Sequence, residues 1–426
     1  MQNVIKICIT TLLLMLAWGL SHEANASHLA GAEISYEYIS GNDYTITVSW
    51  IRDCDGESID PGQDHGHLFD LNVAGCYWDQ DYALSLDTFF LITQACGPNP
   101  CGNGSIEAYE KYILSTIITL PSNGCTGFTF SVQGNARNSV PNSGINTGPS
   151  GDLYVEATLD ISFGHHSSPT FGSIPVTTVC AGQQFNFNNL GQSNTGGTLS
   201  YSLVSPLNGV NNPVSYNSPF TATDPYNGLL ELNDITGMLE GTPDATSTDI
   251  TVIAILITET DANGNVISTI MRDIQIQVIT CSNNAPTASP STLIDTICIG
   301  ELYTLNISSI DQDDDEVNMV WGEEISGATF VISNNNSANP FPSSTFSWTP
   351  GYSDAGTHFF TVTVKDTACP LNGINSYTYA IHVDTCCDLS YTLTSCCEIS
   401  FGDDDTTGIG TGRNLQRART FIRNNN

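Results

Sequence analysis

The chain has 426 residues, with 10 Lys and Arg against 44 Asp and Glu, and a formal net charge of −34. Binding of nucleic acids depends on Lys and Arg side chains that neutralise phosphates, so this balance excludes that class of function. Two explanations of the acidity remain open: repulsion that keeps the protein soluble, and carboxylates gathered to hold divalent cations.

Residues 1–26 have the three-part layout of a secretory signal peptide. Lys6 precedes an apolar run from Ile7 to Leu20, and small residues follow up to Ala26, after which we expect cleavage. The run is shorter than the roughly 20 residues of a membrane-spanning helix, and no comparable run follows. The sequence therefore predicts a mature protein that is secreted or exposed at the cell surface, without a transmembrane segment.

Alternating apolar and polar residues predict β-strands in the first part of the chain. Residues 44–52 (YTITVSWIR) have the two-residue period of a half-buried strand. Residues 153–163 repeat this alternation, with apolar positions from Leu153 to Phe163 on one face. Only residues 105–117 suggest a helical period, and this stretch could equally be the start of a strand. The pattern favours an all-β fold.

Two pairs of long strands are predicted further along, each joined by an Asn-Gly turn. Residues 250–281 contain two runs rich in β-branched residues around the Asn-Gly pair at 263–264. Residues 357–384 contain a second such pair of runs around positions 372–373. Short strands separated by Gly, Asn, Pro and Ser turns are typical of β-sandwiches.

Turn-rich stretches near 165–175 and 282–292 suggest the domain boundaries. The segments that follow them open alike, with an apolar strand, a cysteine (Cys180 or Cys298) and a Gly-containing turn, as tandem copies of one sandwich would. We therefore expect a signal peptide at 1–26, an N-terminal β-sandwich-like domain at 27–170, two repeats at 171–284 and 285–384, and a Cys-rich, disordered tail at 385–426.

The cysteines favour disulfides. Cys8 lies in the signal segment, so 13 of the 14 cysteines belong to the mature chain. In an exported protein this number indicates disulfides with one thiol left over, and the pairing does not follow from the sequence. Zinc is the alternative, but the Cys-x-x-Cys and Cys/His spacings that zinc sites use are missing.

The start of the mature chain resembles the first domain of large exported proteins from gliding bacteria. Residues 27–56 carry a His-x-x-Gly-x-Glu-Ile strand and a later Trp-x-Arg-Asp-Cys, and residues 111–132 and 167–188 resemble the same proteins. The resemblance covers most of 27–281 and implies secretion by the type IX route and a link to gliding motility. The matching residues are His28, Gly31, Glu33, Ile34, Trp50, Arg52, Asp53 and Cys54.

Two later stretches resemble known repeat families. Residues 230–243 (LELNDITGMLEGTP) are similar to a strand-turn signature of immunoglobulin-like and cadherin-like repeats, and residues 345–366 resemble a dystroglycan-type cadherin-like ending. The resemblance implies an immunoglobulin-like repeat at 171–284 and a cadherin-like repeat at 285–384. Such motifs indicate fold better than function.

The strongest candidate site is an acidic loop in which Asp311, Asp313 and Asp315 alternate. Ca²⁺ takes six to eight hard oxygen ligands, and alternate Asp residues in a loop can converge on one ion. By resemblance to cadherin-like repeats, Asp354 and Asp366 near strand ends would join them. The alternative is an acidic turn that is simply solvated.

Other candidate sites have weaker signals. His65 and His67 lie in a Gly-Pro-flanked loop, and His165 and His166 lie at a predicted boundary, so exposed loop residues are the simpler interpretation than metal ligands. Aromatic residues of the first domain could form a platform that stacks on sugars, or could belong to the core. These aromatic residues are Tyr77, Trp78, Tyr82, Phe89 and Phe90.

The motifs of common hydrolases and nucleotide-binding enzymes do not occur in the sequence. We therefore expect a non-enzymatic adhesion or display protein whose partners are glycans or proteins on the surfaces of other cells or substrata. A carbohydrate-binding module is the alternative, and exposed aromatic residues around a groove would favour it. A hydrolase would need a carboxylate pair or a triad inside a cleft.

Overall fold

The computed structural model describes residues 29–384, except for 55–69, 77, 93, 95, 97–100, 102–107, 136, 139–150, 176–177, 247–248, 292, 323–324 and 334–339. The expected signal peptide (1–26), the His65/His67 loop and the expected tail (385–426) lie outside the described residues. Within the described part of the chain, no helix is long and apolar enough to cross a membrane.

The fold is all-β, as the sequence predicts. Twenty-five strands and two short 3-10 turns, Ile161–Phe163 and Tyr352–Asp354, account for the regular structure of the described residues. We divide the chain into a first segment (29–163), a second segment (170–281) and a third segment (287–384).

The first segment contains eight strands whose inward faces follow the alternation in the sequence. Tyr44, Ile46, Val48 and Trp50 of the second strand are all fully buried, which confirms the face predicted for this stretch. The strands are β1 Leu29–Ser40, β2 Asp43–Asp53, β3 Asp70–Gly75, β4 Trp78–Ala83, β5 Ser85–Ile92, β6 Tyr109–Thr119, β7 Gly127–Gly134 and β8 Leu153–Asp160.

The second segment is built around one long hairpin. The predicted turn at Asn263-Gly264 is present between its strands, where Asp261 accepts backbone hydrogen bonds from Asn263 and Asn265. The strands are β9 Thr170–Phe171, β10 Thr178–Cys180, β11 Phe185–Asn188, β12 Gly191–Gln192, β13 Thr198–Val204, β14 Gly228–Leu232, β15 Met238–Pro243, β16 Asp249–Thr260 and β17 Val266–Ile279.

The third segment is a β-sandwich of two four-stranded sheets, β18-β20-β23-β22 and β19-β25-β24-β21. The rings of Phe346 and Phe360 stack across its interior at 4.2 Å, and Tyr379 stacks on Phe360 at 5.1 Å. The strands are β18 Thr287–Ser289, β19 Leu293–Cys298, β20 Tyr303–Ile310, β21 Val317–Trp321, β22 Thr329–Ser333, β23 Ser343–Trp348, β24 Gly356–Asp366 and β25 Ile374–Asp384.

Strand β17 joins the first and second segments in one twelve-stranded sheet. One of its edges pairs with β16 along its length. Its residues 268–270 pair with β8, 272–274 with β1 and 277–279 with β10. A strand of the second segment thereby completes the sheet of the first, so hydrogen bonds cross the boundary expected near residue 170. The domain limits themselves remain predictions.

Two residues of the His-x-x-Gly-x-Glu-Ile stretch lie at this shared strand. A Cβ atom on Gly31 would come within 2.5 Å of the Asp273 carbonyl oxygen, so β1 and β17 approach closely only with glycine there. Two residues further along β1, the Glu33 carboxylate accepts hydrogen bonds from Nε and Nη2 of the Arg272 guanidinium at 2.8 and 2.6 Å. Gly31 therefore allows β1 and β17 to approach closely, and Glu33 links the two strands through its ion pair.

Four of the five described Lys and Arg side chains are in ion pairs in these two segments. Arg137 binds both carboxylate oxygens of Asp273, at 2.6 and 2.7 Å, and both side chains are almost completely buried. Burial by itself would raise the pKa of Glu33, but the charges of Arg272 and Lys111 outweigh it and lower that pKa below its ordinary value. The other pairs are Lys111 with Glu33 and Arg52 with Glu110.

Two details of the predicted strands need correction or completion. Strand β8 ends at Asp160, because the Asp160 carboxylate accepts the Ser162 N–H and starts a 3-10 turn. Phe163 is consequently 47% exposed and does not share the core face of Leu153 and Val155, contrary to the expected alternation through residue 163. Of the two alternatives for residues 105–117, the strand is observed over 109–117, which belong to β6, and 105–107 lie outside the described residues.

The cysteines form disulfides, as the sequence predicts. Three bonds lie within one segment, Cys54–Cys101, Cys76–Cys125 and Cys180–Cys281. A fourth, Cys96–Cys369, joins the first segment to the third across 273 positions of sequence. Cys298 is also disulfide-bonded. These bonds are typical of proteins that fold in an oxidising, extracytoplasmic compartment.

Candidate functional site

The acidic loop (residues 311–316) connects β20 to β21 and is folded by its own first residue. Asp311 Oδ1 accepts hydrogen bonds from the backbone N–H groups of Asp313 and Asp315, at 2.8 and 3.2 Å. Asp314 between them has a φ of 64°, in the left-handed region that Asp tolerates better than most residues. This turn brings one oxygen from each of Asp311, Asp313 and Asp315 within 4.8 Å of the others.

Asp311 is buried with one oxygen unsatisfied. Its side chain is 2% exposed, and Oδ2 has no hydrogen-bond partner in the described part of the chain. Burial raises the pKa of Asp311, and the neighbouring charges of Asp366 and Asp315 raise it further. A buried carboxylate oxygen without a partner is costly, and a cation bound between the three carboxylates would satisfy it. These residues therefore fit a Ca²⁺ ion.

Asp366, the last residue of β24, lies beside the acidic loop. Its buried carboxylate accepts hydrogen bonds from Asn283 Nδ2 at 2.8 Å and from the backbone N–H groups of Ala368 and Gly373 at 3.0 and 2.9 Å. Burial raises its pKa, and the charge of Asp315 adds to this effect. Asp366 thus contributes negative charge to the site while its oxygens order the turn at 367–373.

Asp354 does not join this cluster. It lies in the 3-10 turn that precedes β24, where its Oδ2 accepts the Gly351 N–H at 2.7 Å. Asp354 precedes the eleven-residue strand β24 and Asp366 ends it, and at about 3.3 Å per residue the strand spans roughly 33 Å. Of the five Asp residues singled out in the sequence, the structure gathers four at one end of the third segment and places Asp354 at the other.

Sequence reasoning did not identify two asparagines in the linker between the second and third segments. Asn283 donates to Asp366, and Asn284 donates to the Asp313 carboxylate from its backbone N–H at 2.5 Å and from Nδ2 at 3.0 Å. In the sequence they stand in the turn-rich stretch at 282–292, which indicated a domain boundary and not a site. The acidic loop and the linker therefore form one structure, the acidic junction (residues 283–284, 311–316 and 366).

The acidic junction adjoins the disulfide that ties the first segment to the third. The turn that Asp366 orders contains Cys369, which is bonded to Cys96. In the same turn, Asn372 donates its backbone N–H to the Gln94 carbonyl at 2.9 Å. Linker, acidic loop and first segment thus meet at one place, so a cation bound there would brace the third segment against the other two.

The remaining candidates have structural roles. His165 stacks on Tyr38 at 5.2 Å and its Nδ1 is hydrogen-bonded to the Tyr44 hydroxyl at 2.8 Å. His166 is hydrogen-bonded to the backbone carbonyls of Gly164 and Ile267.

The aromatic residues of the first segment divide into two groups. Trp78 and Tyr82 pack against the core of that segment. Phe89 stacks on Tyr112 at 5.1 Å on the edge strand β5, where Phe89 and Phe90 are 54% and 39% exposed. Tyr77 lies outside the described residues. The four described residues therefore divide between the core of the first segment and its exposed edge strand.

No protein-family model matches the chain, and no curated protein sequence matches it. Solved structures show weak similarity. An endo-fucoidan hydrolase of glycoside hydrolase family 107 is 16% identical over 74% of this chain and 38% of its own length, with a TM-score of 0.20. This chain thus spans about two fifths of that protein.

Two other solved structures are similar over most of the chain. The sialic acid binding region of a Streptococcus sanguinis adhesin is 14% identical over 83% of this chain and 77% of its own length, with a TM-score of 0.21. A titin I-band fragment is 9% identical over 83% of this chain and 99% of its own length, with a TM-score of 0.19. Similarity at this level carries no functional argument.

Proposed function

We propose that this protein is a non-enzymatic adhesion or display protein, secreted or held at the cell surface, whose β-sandwich segments form a braced unit that presents binding surfaces. The observation that carries the proposal is the acidic junction, where a buried, unsatisfied Asp311 oxygen meets the interdomain linker and the Cys96–Cys369 turn. Bracing of this kind suits a protein that must bear load or hold a binding face in a fixed orientation.

Calcium at the acidic junction is part of this proposal. Asp311, Asp313 and Asp315 would hold the ion, and Asp366 would add negative charge beside them. Bound Ca²⁺ would supply positive charge to these clustered carboxylates. It would also stiffen the link between the second and third segments.

The resemblance of residues 27–56 supports a finer assignment. Because these residues resemble exported proteins of gliding bacteria, we propose secretion by the type IX route and a role connected with gliding motility. The domain arrangement in this proposal is the expected one, with an N-terminal sandwich-like domain followed by an immunoglobulin-like and a cadherin-like repeat.

Calorimetry tests the calcium part of the proposal. The melting temperature of the purified mature protein should rise with Ca²⁺ relative to chelator, because an ion that binds only the folded state stabilises it by about 2.7 kcal/mol at a hundred times its dissociation constant. Asp311→Asn should abolish the rise. Asp354→Asn removes a carboxylate at the far end of β24 and should leave the rise intact, which makes it the matched control.

Adhesion is tested separately. Beads coated with the mature protein should be retained on cell surfaces or on immobilised polysaccharides, and beads coated with an unrelated acidic protein should not. Equal retention of both beads would contradict the adhesion role. An unchanged melting temperature of the wild type in Ca²⁺ would contradict the calcium site alone.

A carbohydrate-binding module remains the second candidate function. The observation that favours it is a cleft that lies where the three segments meet.

A further inference from the structure

A cleft of about 510 Å³ opens at the meeting point of the three segments. Its floor is the outer face of β24, where Thr361, Thr363 and Lys365 alternate, while Val362 and Val364 between them are buried in the third segment. One wall is the end of β5, and another is the loop at 172–175 with the end of β11. The volume lies within the roughly 300–1,000 Å³ of small-molecule sites, which occur preferentially between domains.

The described lining of this cleft is opposite in charge to the protein as a whole. None of the described residues that line it is acidic, although the chain has 44 Asp and Glu. Among these residues the one charged side chain is that of Lys365. The described lining is therefore cationic on a protein whose net charge is −34.

Lys365 differs from the other basic residues of the described chain. The remaining four are held in the ion pairs described above. Lys365 is half-buried and, among the described residues, is the only Lys or Arg without a carboxylate within 4.0 Å. Its ammonium group is thus the one described cation available to an anion from solution.

The rest of the lining indicates which groups the ligand carries besides its negative charge. Hydroxyl groups cover part of the floor, where Thr363 and Ser376 bond to each other at 2.8 Å. Apolar side chains form the rim, with Leu91 44%, Ile174 53% and Val320 60% exposed. Hydroxyls, an apolar rim and one ammonium suit a ring that has polar edges, an apolar face and one negative group.

We propose that this cleft binds an acidic sugar unit, with Lys365 binding its carboxylate. The proposal rests on the proposed binding function and specifies its ligand class. An ammonium group recognises a carboxylate as a point charge through charge-assisted hydrogen bonds. The net charge of −34 repels long polyanions, so the ligand is a short uronate-bearing saccharide rather than a long, densely charged polymer.

Titration calorimetry of the full mature protein with defined tetrasaccharides tests the proposal. The probes are tetragalacturonate, neutral galactotetraose and a sulfated carrageenan tetrasaccharide, at about 0.15 M salt so that repulsion from the surface is screened beyond roughly 8 Å. We expect binding of tetragalacturonate and a loss of about tenfold or more in Lys365→Gln, the size of a charge-assisted hydrogen bond.

Two variants serve as controls. Thr304→Glu on the outer face of the opposite sheet changes the net charge by the same −1 as Lys365→Gln and should leave binding unchanged. Lys365→Arg keeps the positive charge and should retain most of the affinity. The melting temperature of each variant checks that it is folded.

Three results would overturn the acidic-sugar site: equal binding of the neutral and acidic tetrasaccharides, equal loss in Thr304→Glu and Lys365→Gln, or no binding of any probe. Preference for the sulfated probe would overturn the carboxylate assignment. If coated beads still adhere when tetragalacturonate does not bind, the adhesion role stands and only the ligand class fails.

Discussion

The buried ion pair between Arg137 and Asp273 provides a sharp test of the sheet shared by the first two segments. Both side chains are almost fully buried, and two hydrogen bonds of 2.6 and 2.7 Å join them. Burial raises the pKa of Asp273 even with Arg137 beside it. Arg137→Met removes the guanidinium but keeps much of its volume, which leaves Asp273 without its counter-charge.

The expected loss is about 3–5 kcal/mol in the free energy of unfolding, because the remaining charge is buried and unpaired. For a cooperative unit of 150–250 residues this lowers the melting temperature by roughly 6–20 °C. Arg52→Met is the matched control. Its partner Glu110 has a side chain that is 20% exposed, so water can solvate the remaining carboxylate and the loss should be smaller.

Two further measurements separate the ion pair from simple loss of packing. Adding Asp273→Leu to Arg137→Met should recover most of the lost stability, since an apolar pair of similar volume often replaces a buried ion pair without cost. The deficit of the single variant should also shrink as the pH falls towards about 4. Burial raises the pKa of Asp273 above its ordinary value, so the cost of keeping it ionised in the folded state falls as the pH approaches the ordinary range of Asp, where the unfolded state no longer gains by ionising it.

Scanning calorimetry of residues 27–426 measures the wild type and these three variants. The reasoning is refuted if Arg137→Met and Arg52→Met melt at the same temperature. It is also refuted if a separate transition for the first segment is unaffected by Arg137→Met, because the residue would then not couple the segments through β17.

Two more predictions concern other links in the fold. Replacing Cys96 and Cys369 by Ser should cost about 1.5 kcal/mol more in unfolding free energy than replacing Cys54 and Cys101. The two disulfides close loops of 273 and 47 positions, and the entropy of loop closure grows with length. Chemical denaturation of both double variants checks the order, and the reverse order would contradict the argument. Hydrogen bonds from Asn265 and Asn263 lower the pKa of Asp261 from 3.8 to about 2. The contribution of Asp261 to the β16–β17 turn is therefore present above about pH 4 and is lost as the pH falls through about 2. Amide exchange at Asn263 and Asn265 in the wild type should speed up over that range beyond the intrinsic pH effect, and an equal profile in Asp261→Ala would show that the carboxylate does not stabilise the turn.

The sequence by itself determined the class of fold and the positions of the strands with the clearest patterns, among them β2, β8, β16, β17, β24 and β25. The faces of β2 and of β8 up to Asp160 follow from alternation, because neighbouring side chains of a strand point to opposite sides whatever the strand pairs with. The Asn-Gly turn at 263–264 was equally readable, since the left-handed backbone it needs is a local property of Asn and Gly. The end of β8 was missed because a side-chain hydrogen bond from Asp160, and not the apolar pattern, ended the strand.

The sequence also predicted part of the candidate site, because the contacts that form it are local. Alternating Asp residues indicated a loop whose carboxylates could converge, and the Asx-type bonds of Asp311 close that loop within a few residues. The resemblance added Asp354 and Asp366 together, yet they lie at opposite ends of β24. Asn283 and Asn284 were missed because amide side chains give no signal until their acceptors, 83 and 29 residues away, are brought to them.

Only the tertiary structure decided how the segments are joined and which described charges are paired. The choice of β17 as the partner of β8, β1 and β10, the Cys96–Cys369 bond and the lack of a described carboxylate beside Lys365 all depend on contacts between residues far apart in the chain. Side-chain alternation is a local property that each strand carries with it. Edge pairing and charge pairing depend on which surfaces the whole chain brings together, and every strand edge offers the same backbone groups, so the sequence of one strand does not specify its neighbour.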